Sequence, residues 1–503
     1  MNYLEKILKA RVYEVARETA LDPARRLSAR LDNHVWLKRE DTQPVFSFKL
    51  RGAYNRMVQL SEAERDKGVV ASSAGNHAQG VALAARKLSC RAVIVMPLTT
   101  PQIKIEAVKA LGGIVELWGD SYSEAHAYAV SLAEEQNLTF VHPYDDPEVI
   151  AGQGTVGMEI LRQCKEDLDA IFVPIGGGGL IAGIASYVKA LYPDVRIIGV
   201  EPVDAASMHA SLEAGRRVEL DAVGIFADGV AVKKVGEETF RICAELVDEI
   251  VLVNTDEICA AIKDVFEDTR SIMEPAGALS VAGLKAWCDR EQVCGKNLVA
   301  IACGSNMNFD RLRFVAERSE LGEHREAIFG VTLPEEKGAF KAFCAKVGMR
   351  NITEFNYRYA EARNAHVFVG IQVNGQEEAS ELLAELNGMD YPSIDLTENE
   401  FAKLHLRHMV GGRAPEIEHE VLFRFNFPER PGALMDFLNS LSGDWLITLF
   451  HYRNHGADSG RVLVGVEVPP DERGAFVASI DSLGYTYWDE TDNPAYQMFL
   501  SSC

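Results

Sequence analysis

Two spacings of apolar residues alternate from Val35 to about Asn308. Short runs in which nearly every position is apolar (RAVIVMP at 91 to 97, AIFVPI at 170 to 175, VRIIGVEP at 195 to 202 and NLVAIACG at 297 to 304) are separated by stretches of helical period. A strand apolar on both sides is covered on both faces, as in a parallel sheet layered by helices. The pattern predicts an α/β domain. Ahead of it the N-terminal segment has helical period, with Leu4, Ile7, Leu8 and then Val12 and Val15 falling on one side.

Beyond about Arg318 the texture changes, and the charged stretch RSELGEHRE at 318 to 326 predicts a domain boundary. The last third is an internal duplication. Pro334 matches Pro428 and Gly338 matches Gly432, an offset of 94; Phe355 matches Phe450, Tyr357-Arg358 matches Tyr452-Arg453 and Val369-Gly370 matches Val464-Gly465, an offset of 95, with Phe343 and Phe437 between them. Each copy reads as strand, turn, helix, strand, hairpin, strand. That is a small α+β unit whose sheet needs a second layer, and two copies could supply it for each other. The duplication adds either bulk and an oligomer contact or a pair of effector-binding units.

Length and composition narrow the class. At 503 residues the chain exceeds what one core organises, so two or three domains are expected. Its net charge of -23, with no basic stripe to offset it, disfavours nucleic acid and anionic membranes as partners. Nine scattered cysteines without a CxxC pair suggest a reducing compartment, and the N-terminus has no signal-like apolar core, so a cytoplasmic location is expected. No His or Cys cluster has ligand spacing, and no metal is expected.

Four segments carry candidate chemistry. In SFKLRGAYN, Lys49 sits between Phe46, Phe48 and Leu50 where a helix starts. Desolvation there would leave more of the neutral amine that a Schiff base requires, although most lysines are solvated surface charges. In SSAGNHAQG, the small residues Ser73, Ala74 and Gly75 ahead of Asn76 and His77 expose backbone N–H groups before the helix VALAARKL, a place for a carboxylate; Asn76-His77 also reads as a simple helix cap. In IFVPIGGGGLIAGIASYVKAL, Gly176 to Gly179 and Leu180 join a strand to a helix, and so the main chain can wrap a tetrahedral anion with the helix dipole aimed at it. The run lacks both GxGxxG and GK[ST], which disfavours dinucleotides and ATP and leaves a phosphorylated cofactor. In IACGSNMN, Cys303 at a strand end either faces a heterocyclic nitrogen or is a buried structural thiol.

Together these segments resemble the fold type II (tryptophan synthase β-like) pyridoxal-phosphate enzymes. With VIAGQGTVGMEI, FEDTRSIMEPAGAL, LGEHREA, FNYR and LFHYRNHG, the resemblance extends along essentially the whole chain to the biosynthetic threonine dehydratases (threonine ammonia-lyases). It implies a catalytic domain over 1–320 and two ACT-like regulatory subdomains over 327–398 and 420–503. It implies pyridoxal 5'-phosphate on Lys49, with Asn76 at the ring 3-hydroxyl, Gly176, Gly177, Gly178, Gly179 and Leu180 at the phosphate, Cys303 at the ring nitrogen, and Ser73, Ala74, Gly75, Asn76 and His77 at the substrate carboxylate. Cys303 departs from the serine found in many relatives. The implied reaction is deamination of L-threonine to 2-oxobutanoate and ammonia with L-serine as a slower substrate, isoleucine inhibiting, valine activating, in a homotetramer. A catabolic threonine/serine dehydratase, a serine racemase or an inactive amino-acid sensor are the competing readings.

Overall fold

The computed structural model describes residues 2–500 apart from 120, 225, 310, 349, 360–363, 400–401, 404–405, 409–410, 415, 429–432, 441–444, 454–458, 495 and 497–499. The chain divides into two compact units, Met1–Gly322 and Glu323–Cys503. Among the described residues no helix is long and apolar enough to cross a membrane.

The first unit holds two sheets. One has six strands in the order Leu21–Pro23, His34–Arg39, Asn297–Ala302, Ala170–Pro174, Arg196–Pro202 and Glu249–Val253, parallel except for the first. The other has four, all parallel: Ile114–Leu117, Ala92–Met96, Val69–Ser72 and Thr139–Phe140. The all-apolar runs are the inner strands, and every residue of Ala92–Met96 and Ala170–Pro174 is buried. In such sheets the loops leaving the carboxyl ends of the strands build the binding crevice. Here those loops begin at Ser73, Val141, Ile175 and Cys303.

Helix Lys49–Val58 buries Leu50, Ala53, Tyr54 and Met57. Full burial of a side chain such as Leu or Met contributes roughly 1.5–3 kcal/mol. The helix is seated against helix Pro147–Gln163 at a glycine contact: a Cβ on Gly152 would lie 2.7 Å from the Arg51 carbonyl and the Gly52 Cα. This close approach fixes where the first residue of the helix, Lys49, is presented.

The N-terminal segment is not one helix: Tyr3–Leu8 ends at Lys9, and a 3-10 turn follows at Val12–Glu14. Ile7 and Val12 are buried while Leu8 is exposed, so the apolar stripe is shared by two elements with different axes. The division between the two units falls inside the charged stretch at 318 to 326, between the end of helix Arg311–Gly322 and the start of strand Glu326–Pro334.

The second unit is one eight-stranded antiparallel sheet in the order Ser393–Asp395, Glu326–Pro334, Asn364–Gln372, Ile352–Arg358, Leu446–Arg453, Ser459–Glu467, Glu420–Pro428 and Tyr487–Asp489. The two copies do not cover each other; they join edge to edge. Phe355 pairs with Tyr452, Asn356 with His451 and Tyr357 with Phe450. At the offset of 95 these are exchanged equivalents, so a local two-fold passes through the Asn356–His451 pair. Edge pairing satisfies backbone groups that stacking would leave bare. The second layer comes from helices Ala339–Val347, Gln376–Gly388, Ala433–Ser440 and Arg473–Asp481, whose Phe343, Leu382, Phe437 and Phe476 share a core with the sheet. The repeat also reaches polar positions. Thr353 donates to Glu326 beneath Gly370, and Thr448 donates to Glu420 beneath Gly465. Gly432 lies outside the described residues.

Candidate active site

Lys49 is the first residue of its helix and partly exposed. Its Nζ donates to the Pro143 carbonyl at 3.2 Å and lies 5.3 Å from the centre of the Phe48 ring. The protein packed around the amine removes water from it. Desolvation outweighs the opposing pull of Cys303 and Glu274 and brings the ammonium pKa down to about 8. The amine is thus poised to lose its proton near neutrality.

The segment 73 to 77 follows strand Val69–Ser72. Helix Asn76–Leu88 begins five residues ahead of the VALAARKL run, with Gly75 as its N-cap. Asn76 is therefore the first helical residue and not the cap. Its Nδ2 donates to Glu274 at 2.5 Å, and its Oδ1 accepts from Asn306 at 2.6 Å. Ser73, Ala74 and Gly75 are partly exposed, and the Ser73 hydroxyl accepts from the Gly75 N–H at 3.2 Å. His77 is buried. One ring nitrogen, Nε2, lies 2.9 Å from the Val141 carbonyl while Nδ1 has no partner, and burial next to Lys49 pushes its pKa down to about 3. His77 is a neutral wall at neutral pH, and its backbone, not a charge, is what it can offer a carboxylate.

The glycine run joins strand Ala170–Pro174 to helix Gly179–Leu191. Gly178 is in the left-handed region at φ 94° and caps the helix without a side chain. The first-turn N–H groups of a helix have no acceptor inside it. A Cβ on Gly177 would collide with the Tyr144 ring, and one on Gly178 would come 2.9 Å from Thr239 Cβ. Only glycine allows the main chain this approach. Thr239 holds the loop from behind, donating to the Gly177 carbonyl at 2.7 Å. Leu180 is buried within the helix.

Cys303 follows strand Asn297–Ala302, and its thiol donates to the Ala276 carbonyl at 3.2 Å. Burial and the nearby Glu274 hold it well above the ordinary thiol range, so it is neutral. Its carbonyl accepts from the Phe48 N–H at 3.3 Å, which ties it to the residue before Lys49. Among the described residues no three His, Cys, Asp or Glu side chains are grouped as a metal would need.

The arrangement fits pyridoxal phosphate on two observations. A desolvated lysine amine sits with no carboxylate bonded to it among the described residues, and a glycine cradle that any Cβ would crowd lies at a helix N-terminus. Three residues at the site were not singled out in the sequence: Glu274, Asn306 and Tyr144. Glu274 lies inside the FEDTRSIMEPAGAL motif directly before Pro275, at a helix start. Tyr144 follows a short strand whose carboxyl end faces the site, and that position was its only signal.

A family model described as pyridoxal-phosphate dependent enzyme matches residues 12–304, and one described as the C-terminal regulatory domain of threonine dehydratase matches 317–406 and again 411–500. The L-threonine dehydratase biosynthetic IlvA of Burkholderia multivorans is 58% identical over 504 residues, spanning 99% of this chain and 99% of its own. The protein of the same name from Escherichia coli is 51% identical over 500 residues, spanning 99% and 97%. The solved processed form of threonine deaminase isoform 2 from Solanum lycopersicum is 55% identical, with a TM-score of 0.63 over 63% of this chain and 88% of that one.

Proposed function

We propose, for a chain that belongs to the biosynthetic threonine dehydratases among the pyridoxal-phosphate dependent enzymes, that Lys49 both holds the cofactor and moves the substrate proton. The reaction is removal of water and then ammonia from L-threonine, giving 2-oxobutanoate, the first step of isoleucine biosynthesis. The observation that carries the role of Lys49 is its buried amine, brought to about 8 and bonded only to a carbonyl among the described residues.

Bound pyridoxal phosphate supplies a carbonyl for the substrate amine and a conjugated ring that draws electrons from Cα, so that the Cα–H becomes acidic and the β-hydroxyl can leave. Lys49 would hold the cofactor, and its amine, neutral above about pH 8, would serve as the base that takes the Cα proton. The backbone of Gly176, Gly177, Gly178, Gly179 and Leu180 holds the phosphate. Asn76 bonds the ring 3-hydroxyl, and the Ser73, Ala74, Gly75, Asn76 and His77 backbone takes the substrate carboxylate. Cys303 meets the ring nitrogen as a neutral thiol, which leaves that nitrogen without a charged partner and favours elimination over transamination.

The C-terminal unit is a regulatory domain that binds amino-acid effectors. We divide it into ACT-like subdomains over 327–398 and 420–503, behind a catalytic domain over 1–320. Isoleucine inhibits through it, valine opposes isoleucine, and the working form is a cytoplasmic homotetramer. Identity along the whole chain and the matched regulatory repeat favour this reading over a catabolic dehydratase, a serine racemase or an inactive sensor. The test is 2-oxobutanoate release from threonine with and without isoleucine. Sigmoidal kinetics sharpened by isoleucine are expected. Turnover with no response to any branched-chain amino acid would overturn the effector assignment.

A further inference from the structure

The Asn76 amide is held from both ends. Asn306 spends both hydrogens of its own amide, donating to the Val45 carbonyl at 2.9 Å and to Asn76 Oδ1 at 2.6 Å. Asn76 Nδ2 donates to Glu274 Oε1 at 2.5 Å. Turning the Asn76 amide over would set its NH2 against the Asn306 NH2, losing that contact whatever the state of Glu274, and would set its oxygen against the Glu274 carboxyl, losing that contact as well when the carboxyl is ionised. The observed orientation is thus favoured in both states of Glu274, and among the described residues it leaves one N–H of Asn76 unused.

Glu274 is brought to this place by its backbone. Its N–H donates to the Gly304 carbonyl at 3.2 Å, and its carbonyl accepts from Gly277 at 2.8 Å. A Cβ on Gly304 would strike the Glu274 carboxyl, and one on Gly277 would strike the Gly304 carbonyl. The carboxyl is buried, 5% exposed. Asp228 faces it with the same sign; Lys104 and Arg311 face it with the opposite sign but are held by Asp228 at 2.8 and 3.4 Å, and Lys49 and the Cys303 thiol also lie within its electrostatic reach. Burial and Asp228 together bring the carboxyl up to about 7. Its charge therefore changes in the range where the enzyme works.

We propose that Glu274 and Asn306 are positioning residues that act through Asn76, locking its amide so that the free N–H is kept for the cofactor's ring oxygen, where the Glu274 charge is then felt. This rests on the reading of Asn76 as the ring contact. An ionised Glu274 disfavours negative charge on that oxygen; a neutral one does not.

The holoenzyme's visible absorbance, followed between pH 6 and 8.5, tests it in wild type, Glu274→Gln, Asn306→Ala and Asn76→Ala. Wild type is expected to show a spectral step with a midpoint near the Glu274 value of about 7. Glu274→Gln, whose amide oxygen still accepts from Asn76, should bind the cofactor within about threefold of wild type, lose the step, and lower kcat about tenfold with KM for threonine little changed. Asn306→Ala should keep the step and weaken cofactor binding about tenfold. A Glu274→Gln enzyme that titrates as wild type, or an Asn306→Ala enzyme with wild-type affinity, overturns the proposal while leaving the Asn76 assignment standing. An Asn76→Ala spectrum identical to wild type overturns both.

Discussion

Lys49 and Arg51 lie two residues apart on one helix, both drawn into the protein, and they meet opposite surroundings. The Arg51 side chain, fully buried, bonds Glu40 at 2.7 and 2.8 Å and Glu159 at 2.6 and 3.0 Å, and Glu159 also takes Lys38 at 2.6 Å. Two cations and two carboxylates balance there, and the pairing drives the Arg51 pKa up despite burial. Lys49 is desolvated without a bonded carboxylate, and its pKa falls. Burial alone does not make a charged side chain chemical or structural; the presence of a counter-ion decides which it is.

The comparison breaks most sharply by deletion. Lys49→Ala should remove the visible cofactor absorbance and lower kcat by on the order of 10⁴, while its urea midpoint, compared with that of the cofactor-free wild type, is unchanged or raised because a poorly compensated amine is gone. Arg51→Met should do the reverse: it leaves the buried Glu40 without its bonded cation and Glu159 with Lys38 alone, costs about 3–5 kcal/mol of stability, and shows as a large drop in the urea midpoint. A stable Arg51→Met protein would mean that the cluster is not structural. A gentler probe is pH. Schiff-base formation needs the neutral amine, so the rate of cofactor uptake by the cofactor-free protein should rise about tenfold per pH unit below about 8 and level off above it. A rise that continues to pH 10 would place the Lys49 amine in ordinary solvent. The smallest effect is expected from Cys303→Ser. Serine is neutral like the buried thiol, and turnover should stay within about threefold; complete loss would assign the thiol another task.

What the sequence revealed and what it hid divide by distance along the chain. Lys49, the 73 to 77 segment, the glycine run and Cys303 each announce themselves through contiguous neighbours, because a helix start or a strand-to-helix turn is a local event. Glu274 and Asn306 reach Asn76 across 198 and 230 residues, and Glu159 reaches Arg51 across 108, so only the folded sheets bring them together. The α/β class was legible from the all-apolar runs, since burial on both faces leaves no polar side. The duplication was legible too, but the alternation along a strand says which face is apolar and is silent about which edge finds a partner. Hence the side-by-side join of the two copies could not be read from it.

That join, centred on Asn356 and His451, says something about origins. A strand that pairs antiparallel with its own duplicate carries a self-complementary edge, and before the duplication the same edge on two separate molecules would have matched in the same register. The eight-stranded sheet thus has the symmetry of an isologous dimer, held within one polypeptide.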